Sequence, residues 1–132
     1  MIPPALIKTP ASKPIAIIRI IAALPLLAIG LQHLTGAAPM LPILKGSGIP
    51  FPELNATVAP IFEVLAGVLL LSGAFARVGA LIAMGAMAGA TYSHLVFDWA
   101  DEPPIVLPIA ILVMAAIILI KGAGHWSVDR KL

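Results

Sequence analysis

The sequence predicts an all-α fold: a four-helix transmembrane bundle with both termini inside and a proline-rich, apolar outer loop joining the first two helices. Three observations predict it. Hydrophobic residues fill 61% of the 132 positions and charged residues only 11%, with a mean hydropathy of +1.08. A soluble domain carries about 25% charge, and one this small could not hide so much apolar surface. Four apolar runs, over about residues 14–35, 57–74, 77–97 and 104–120, come close to the length that crosses a hydrocarbon layer of about 30 Å. The basic residues gather at one end of those runs, as the positive-inside bias requires.

The chain reads as a single domain over residues 1–132. The first 13 residues hold Pro3, Pro4 and Pro10 and too little apolar periodicity to fold alone. Pro14 suits the first turn of the first span. Arg19, near the start of that span, is expected to snorkel to the surface. Pro25 removes one backbone bond and is expected to kink the helix. A signal peptide ending at the small residues Gly36, Ala37 and Ala38 is the rival reading. The apolar core is long for that, and Arg19 interrupts its start.

Residues 36–55 form a loop with Pro39, Pro42, Pro50 and Pro52, too many prolines for a long helix. The loop is nonetheless apolar (Met40, Leu41, Ile43, Leu44, Ile49, Phe51, Leu54), so it reads either as a lid over the bundle end or as an ordinary interfacial loop. Asn55 or Thr57 is expected to cap the second helix, with Pro60 in its first turn. The short turn Phe75-Ala76-Arg77 makes helices two and three antiparallel neighbours. In the third helix Gly85 and Gly89 form a G-x-x-x-G pair, a pattern that lets helices approach closely in lipid. An acidic loop (Asp98, Asp101, Glu102) leads to the fourth helix, with Pro108 near its first turn, and a tail follows from Lys121.

Four spans place Lys8, Lys13, Arg19, Arg77, Lys121, Arg130 and Lys131 on one side, with Asp129 as its only acid. The other side has Lys45 as its only base, with Glu53, Asp98, Asp101 and Glu102. Both termini are therefore expected in the cytoplasm, in a multi-pass protein of the cell (inner) membrane. Trp99 and Trp126 fall at opposite interfaces, where belt tryptophans sit. The net charge of +2 lies at membrane ends and gives no argument for nucleic acid. The sequence contains no cysteine, which excludes disulfides, thiolate catalysis, iron–sulfur clusters and cysteine zinc sites.

Within the second span one carboxylate, Glu63, interrupts the run APIFEVLAGVLLLSG. An acid at the centre of a membrane helix costs roughly 2.5–3.5 kcal/mol, so it faces inward, finds a partner or takes up a proton. The topology brings His33 and His94, with Gln32, Thr91 and Tyr92, to a similar depth near the outer side. Gly67, one turn below Glu63, is expected to leave room beside it, as Gly30 does beneath His33. Lys45 and Glu53 can pair across the outer loop, and exposed pairs of this kind are worth little.

Four chemistries fit this constellation. Glu63 can pin helix packing through a histidine or Tyr92. Glu63, His33 and His94 can act on a small lipophilic ligand such as a quinone, with Gln32, Gly67, Thr91 and Tyr92 around it, since intramembrane ionisable groups mark substrates and proton paths. A metal site of two histidines and a carboxylate is disfavoured, since no i, i+4 histidine pair supports it. Bis-histidine haem through His33 and His94 has nothing specific in its favour.

The ordered features resemble the DoxX family of small four-span membrane proteins. They are Gly30-Leu31-Gln32-His33 closing the first helix, Gly48-Ile49-Pro50-Phe51-Pro52 in the loop, then Glu63, Gly67, Leu70, Leu71, Gly73 and Arg77. The tail adds Gly122, Gly124, Ser127 and Asp129. The chain departs from the family pattern at Gln32 and His33, where many relatives carry a lysine. The resemblance implies a membrane subunit of a quinone- or sulfur-linked redox system, with an oxidoreductase as partner, or a non-catalytic scaffold or assembly factor. With no cysteine and no nucleotide motif, the chain is not expected to be a complete enzyme alone. Its surroundings are the lipid bilayer and, as candidate partners, an oxidoreductase subunit or further copies of itself. A stand-alone transporter is disfavoured, because four short spans leave little room for alternating access.

Overall fold

The computed structural model describes residues 3–36, 40–96 and 105–131. The acidic loop residues Asp98, Asp101 and Glu102, together with Trp99, Ala37 and Ala38, lie outside them. Among the described residues every regular element is helical: α1 (Pro4–Ile7), α2 (Lys13–Thr35), α3 (Leu41–Gly46), α4 (Pro52–Ser72), α5 (Ala76–Val96) and α6 (Val106–Lys121), then a 3₁₀ turn over Asp129–Lys131. Three helices, α2, α4 and α5, are long and apolar enough to cross a membrane, and α6 is a shorter apolar helix. The four close a ring in which α2 packs on α4 and α6, and α5 packs on the same two.

Alanine dominates the residues facing inward, beside a few larger ones such as Leu26, Leu70, Ile111 and Ile118. Ala16, Ala22, Ala23, Ala66, Ala76, Ala80, Ala83 and Ala115 are fully buried, while Ile17, Ile21, Leu24, Leu65, Val68, Leu81, Val113 and Ile120 point outward. A soluble bundle does the reverse. In lipid, large apolar side chains lose nothing by facing out, and helix association is driven by close contact through small residues. On α4 the inward face is Glu63, Ala66, Gly67 and Leu70, an i, i+3, i+4, i+7 pattern.

Several sequence expectations change here. The second long helix begins at Pro52, so Pro60 lies inside it instead of in its first turn, and Asn55 and Thr57 are not caps. Their side chains bond backward within the segment, Asn55 to the carbonyls of Pro50 and Phe51, Thr57 to that of Glu53. Phe51, in the left-handed region, precedes the helix. The loop before it contains the short helix α3, whose Ile43 and Leu44 are buried and which packs on α4. Helix α2 runs through Pro25 without a break. The Lys45–Glu53 pair forms, at 3.7 Å between exposed side chains.

Arg19 does not snorkel. It is fully buried, and all five guanidinium N–H groups are used. Nε donates to the Ala123 carbonyl at 2.8 Å, one terminal nitrogen to Leu70 and Leu71 at 2.6 and 2.7 Å, and the other to His125 and Trp126 at 3.3 and 2.9 Å. The surface is unnecessary because the last turn of α4 and the tail surround Arg19 with carbonyls that have no helical partner.

The tail crosses the same end of the bundle. His125 N donates to the Ser12 carbonyl and Gly124 N to the Thr9 hydroxyl, so the two chain ends meet. The Asp129 carboxylate accepts from Phe75 N at 2.6 Å and Ala76 N at 3.0 Å, satisfying donors at the start of α5. Gly73 closes α4 with φ +75° directly against the Ser127 side chain, a place where any Cβ would collide.

Two substitutions measure this end. Arg19→Met strands buried carbonyls at a cost of about 1–3 kcal/mol each, so a net loss of about 3 kcal/mol or more is expected. Asp129→Ala removes one cap and is expected to cost about 1–2 kcal/mol. Thermal unfolding in detergent gives the order; Arg19→Met as stable as wild type would show that the five bonds do not hold the fold.

Candidate functional site

At the opposite end of the ring from the tail, Glu63 and His33 meet. Glu63 Oε1 lies 3.2 Å from His33 Nδ1, and the two side chains retain only 5% and 6% of their accessible surface. Helix geometry explains the contact. A Cβ leans toward its own helix N-terminus, so on antiparallel helices His33 leans down α2 and Glu63 leans up α4. Below them the backbones touch. A Cβ on Gly30 would lie 3.0 Å from Glu63 Cβ and from Val64 N, and one on Gly67 would lie 2.9 Å from Leu27 Cβ. Gly67 therefore leaves no space for a ligand, because α2 occupies it; both glycines serve to bring the pair within reach.

The pair borders a cavity of about 440 Å³. Its walls come from all four long helices and from α3, and they are mostly apolar: Ile29, Met40, Ile43, Leu44, Phe62 and Ile82 are representative. His94 and Ser93 line it as well. His94 Nδ1–H donates to the Ala90 carbonyl at 2.9 Å, which fixes the ring against its own helix. The loop expected to lie over the bundle end contributes Met40, Ile43, Leu44 and Ile49 to the wall.

Of the residues singled out from sequence, the structure brings Glu63, His33 and His94 to one cavity. Gln32 points outward and is exposed, and Tyr92 is also exposed. Thr91 donates its hydroxyl to the Met87 carbonyl on its own helix. None of these three is in the cavity wall. The reason is rotational: each residue turns about 100° from the last on a helix of 3.6 residues per turn, so neighbours of His33 and His94 share their depth and not their direction. Ser93, at the same depth in the sequence beside His94, is the neighbour that does face the cavity. The Gly85 and Gly89 pair is not a seam inside this chain. A Cβ on either would meet no atom within 4 Å, and both border the cavity.

His33 carries a second property. Its Nε2 is buried and has no hydrogen-bond partner among the described residues. Unmet buried polar groups are few in native structures, and each one requires an explanation. Among the described residues no three His, Cys, Asp or Glu side chains cluster to hold a metal ion.

The apolar spans, small-residue core and buried acid–histidine pair define a multi-pass helical membrane protein that contacts the lipid bilayer. A family model described as DoxX matches residues 15–97, and the chain belongs to the DoxX family. No curated protein and no solved structure matches it.

The energetics of the pair are testable. His33→Ala leaves the Glu63 carboxyl buried without its partner and is expected to cost about 3–5 kcal/mol, whereas replacing both by leucine is expected to be near neutral. Detergent melting curves of the single and double variants decide it: equal losses in both would mean the two groups do not act as a pair.

Proposed function

We propose that this protein is a ligand-binding membrane subunit of a quinone- or sulfur-linked redox system, whose outer-end cavity takes a small lipophilic molecule. Glu63 acts as proton acceptor or hydrogen-bond anchor and His33 as donor, while His94, its Nδ1–H held by the Ala90 carbonyl, borders the ligand with Nε2. The observation that carries this reading is the buried Glu63–His33 pair set in the wall of an apolar cavity of about 440 Å³. Ligand sites combine such walls with a few convergent polar groups, and ionisable residues inside membranes mark substrates and proton paths. The residues fit a quinone in chemical type, offering apolar walls for its ring and His33 for a carbonyl.

One observation favours a second reading, a scaffold or assembly factor without a ligand. Gly85 and Gly89 leave an open, small-residue strip on α5, the kind of surface that accepts another helix in lipid. Native mass spectrometry of protein gently extracted from its own membrane separates the two. A small molecule that accompanies wild type and is absent from Glu63→Gln supports the pocket. A partner polypeptide or second copy that survives Glu63→Gln and disappears in Gly85→Leu supports the scaffold and overturns the pocket.

In this reading the protein sits in the inner membrane with both termini in the cytoplasm. Lys8, Lys13, Lys121 and Lys131, all exposed, support it by gathering at the end where the tails meet. Because the chain has no cysteine, a thiol can be placed at will. A membrane-impermeant maleimide applied to spheroplasts is expected to label Glu53→Cys and to leave Lys131→Cys unlabelled until the membrane is opened. The reverse pattern would invert the topology.

A further inference from the structure

The unpartnered Nε2 of His33 narrows the chemistry of the ligand, and the inference rests on the cavity reading above. The Glu63–His33 pair can hold its protons in four ways. A carboxylate with an imidazolium is neutral as a pair, and both ring nitrogens carry hydrogen. A carboxylic acid donating to Nδ1 of a neutral ring is also neutral as a pair, and the ring hydrogen then sits on Nε2. A carboxylic acid accepting from Nδ1–H through its carbonyl oxygen is neutral and leaves Nε2 bare, but it forgoes the stronger O–H···N bond and leaves both its own O–H and Nε2 without a partner among the described residues. A carboxylate accepting from Nδ1–H of a neutral ring also leaves Nε2 bare, and that pair has a net charge of −1.

A net charge surrounded by apolar side chains is costly. Among the described residues, Glu63 is the cavity's one acid and His33 and His94 its only basic side chains, and a neutral His94 ring, its Nδ1–H held by the Ala90 carbonyl, brings no charge to offset the pair's. The two neutral arrangements that keep the pair's strong hydrogen bond both make Nε2 a hydrogen-bond donor. The ring belongs to the cavity wall, is more than nine-tenths buried, and this N–H has no acceptor among the described residues.

We infer that the cavity selects an apolar molecule bearing a carbonyl-type acceptor, which receives the His33 Nε2–H, and discriminates against the same apolar body without that acceptor. The cavity is bordered by the exposed residues Phe62, Gly85 and Gly89, and these lie on membrane-length helices. The ligand therefore reaches the cavity from the bilayer, across the strip of α5 where Gly85 and Gly89, on successive turns, present no side chain.

The test compares 2-acetylnaphthalene with 2-ethylnaphthalene, two probes of similar shape that differ in one carbonyl oxygen. Equilibrium dialysis against the intact protein in lipid nanodiscs, with empty nanodiscs as the partition control, gives both affinities. The ketone is expected to bind about tenfold or more tightly, as for a hydrogen bond with an otherwise unmet buried group. That preference is expected to vanish in the double variant Glu63→Leu/His33→Leu, which removes both partners together. In protein labelled with ¹⁵N-histidine, the His33 Nε2 resonance of wild type is expected at a protonated position and to shift with the ketone alone. Equal binding of both probes to wild type would overturn the acceptor assignment and leave the cavity reading standing. Binding of neither probe above the empty-nanodisc control would overturn both.

Discussion

The five hydrogen bonds of Arg19 are the constraint on which the rest of the structure depends. A guanidinium inside an apolar helix is tolerable only if every N–H finds an acceptor, because an unmet donor or an unsolvated charge there is expensive. The acceptors come from three places: the last turn of α4, the strand of tail just after α6, and the residues that lead toward Asp129. The C-terminal end of a helix also carries partial negative charge, which suits a cation beside the Leu70 and Leu71 carbonyls. Arg19 thereby fixes the height of α2 against α4 and ties the tail across their junction. With that height set, Gly30 meets Glu63 and Gly67 meets Leu27, and His33 arrives one turn above Gly30, within reach of Glu63.

Depth in the membrane was legible in the sequence, and direction around each helix was not. Apolar run lengths and charged ends locate every residue along the membrane normal, which is why Glu63, His33 and His94 could be placed together. The rotation of a helix about its own axis is set by contacts with its neighbours. When a helix is apolar all round, as these are, the pattern hardly reveals that rotation. Gln32, Thr91 and Tyr92 share the depth of the pair and lie outside the cavity wall for this reason, and Gly67 is a contact with α2. Arg19 illustrates a different limit. Its sequence position shows only a cation near a helix end; the five carbonyls that hold it lie 51 to 107 residues away along the chain. Likewise the family model stops at residue 97, short of the tail that supplies three of those carbonyls.

The two ends of the bundle differ because only one of them is tied shut. At the Arg19 end the tail fills the junction, and Gly73, Gly122 and Gly124 are glycines pressed against other residues there. At the Glu63 end α4 begins earlier than the end of α2 requires, so its first turns stand above the pair, and α3 folds against them. The described residues at that end enclose a volume in place of filling it, with α5 presenting Gly85 and Gly89 where a larger side chain would occupy the gap.

That asymmetry bears on why an acid survives in the middle of an apolar helix. If the only need were to pin α2 to α4, leucines at positions 33 and 63 would serve, since a well-packed apolar pair commonly equals or exceeds a buried ion pair in stability. Glu63 and His33 also sit on the cavity side of the contact, and their closest approach uses Nδ1 alone, leaving Nε2 unmatched among the described residues. A pair selected for packing would be expected to satisfy both ring nitrogens, as Arg19 satisfies all of its own N–H groups in the same molecule. The contrast between a fully matched arginine at the closed end and a histidine half-matched among the described residues at the hollow end is the physical argument behind the ligand proposed for the cavity.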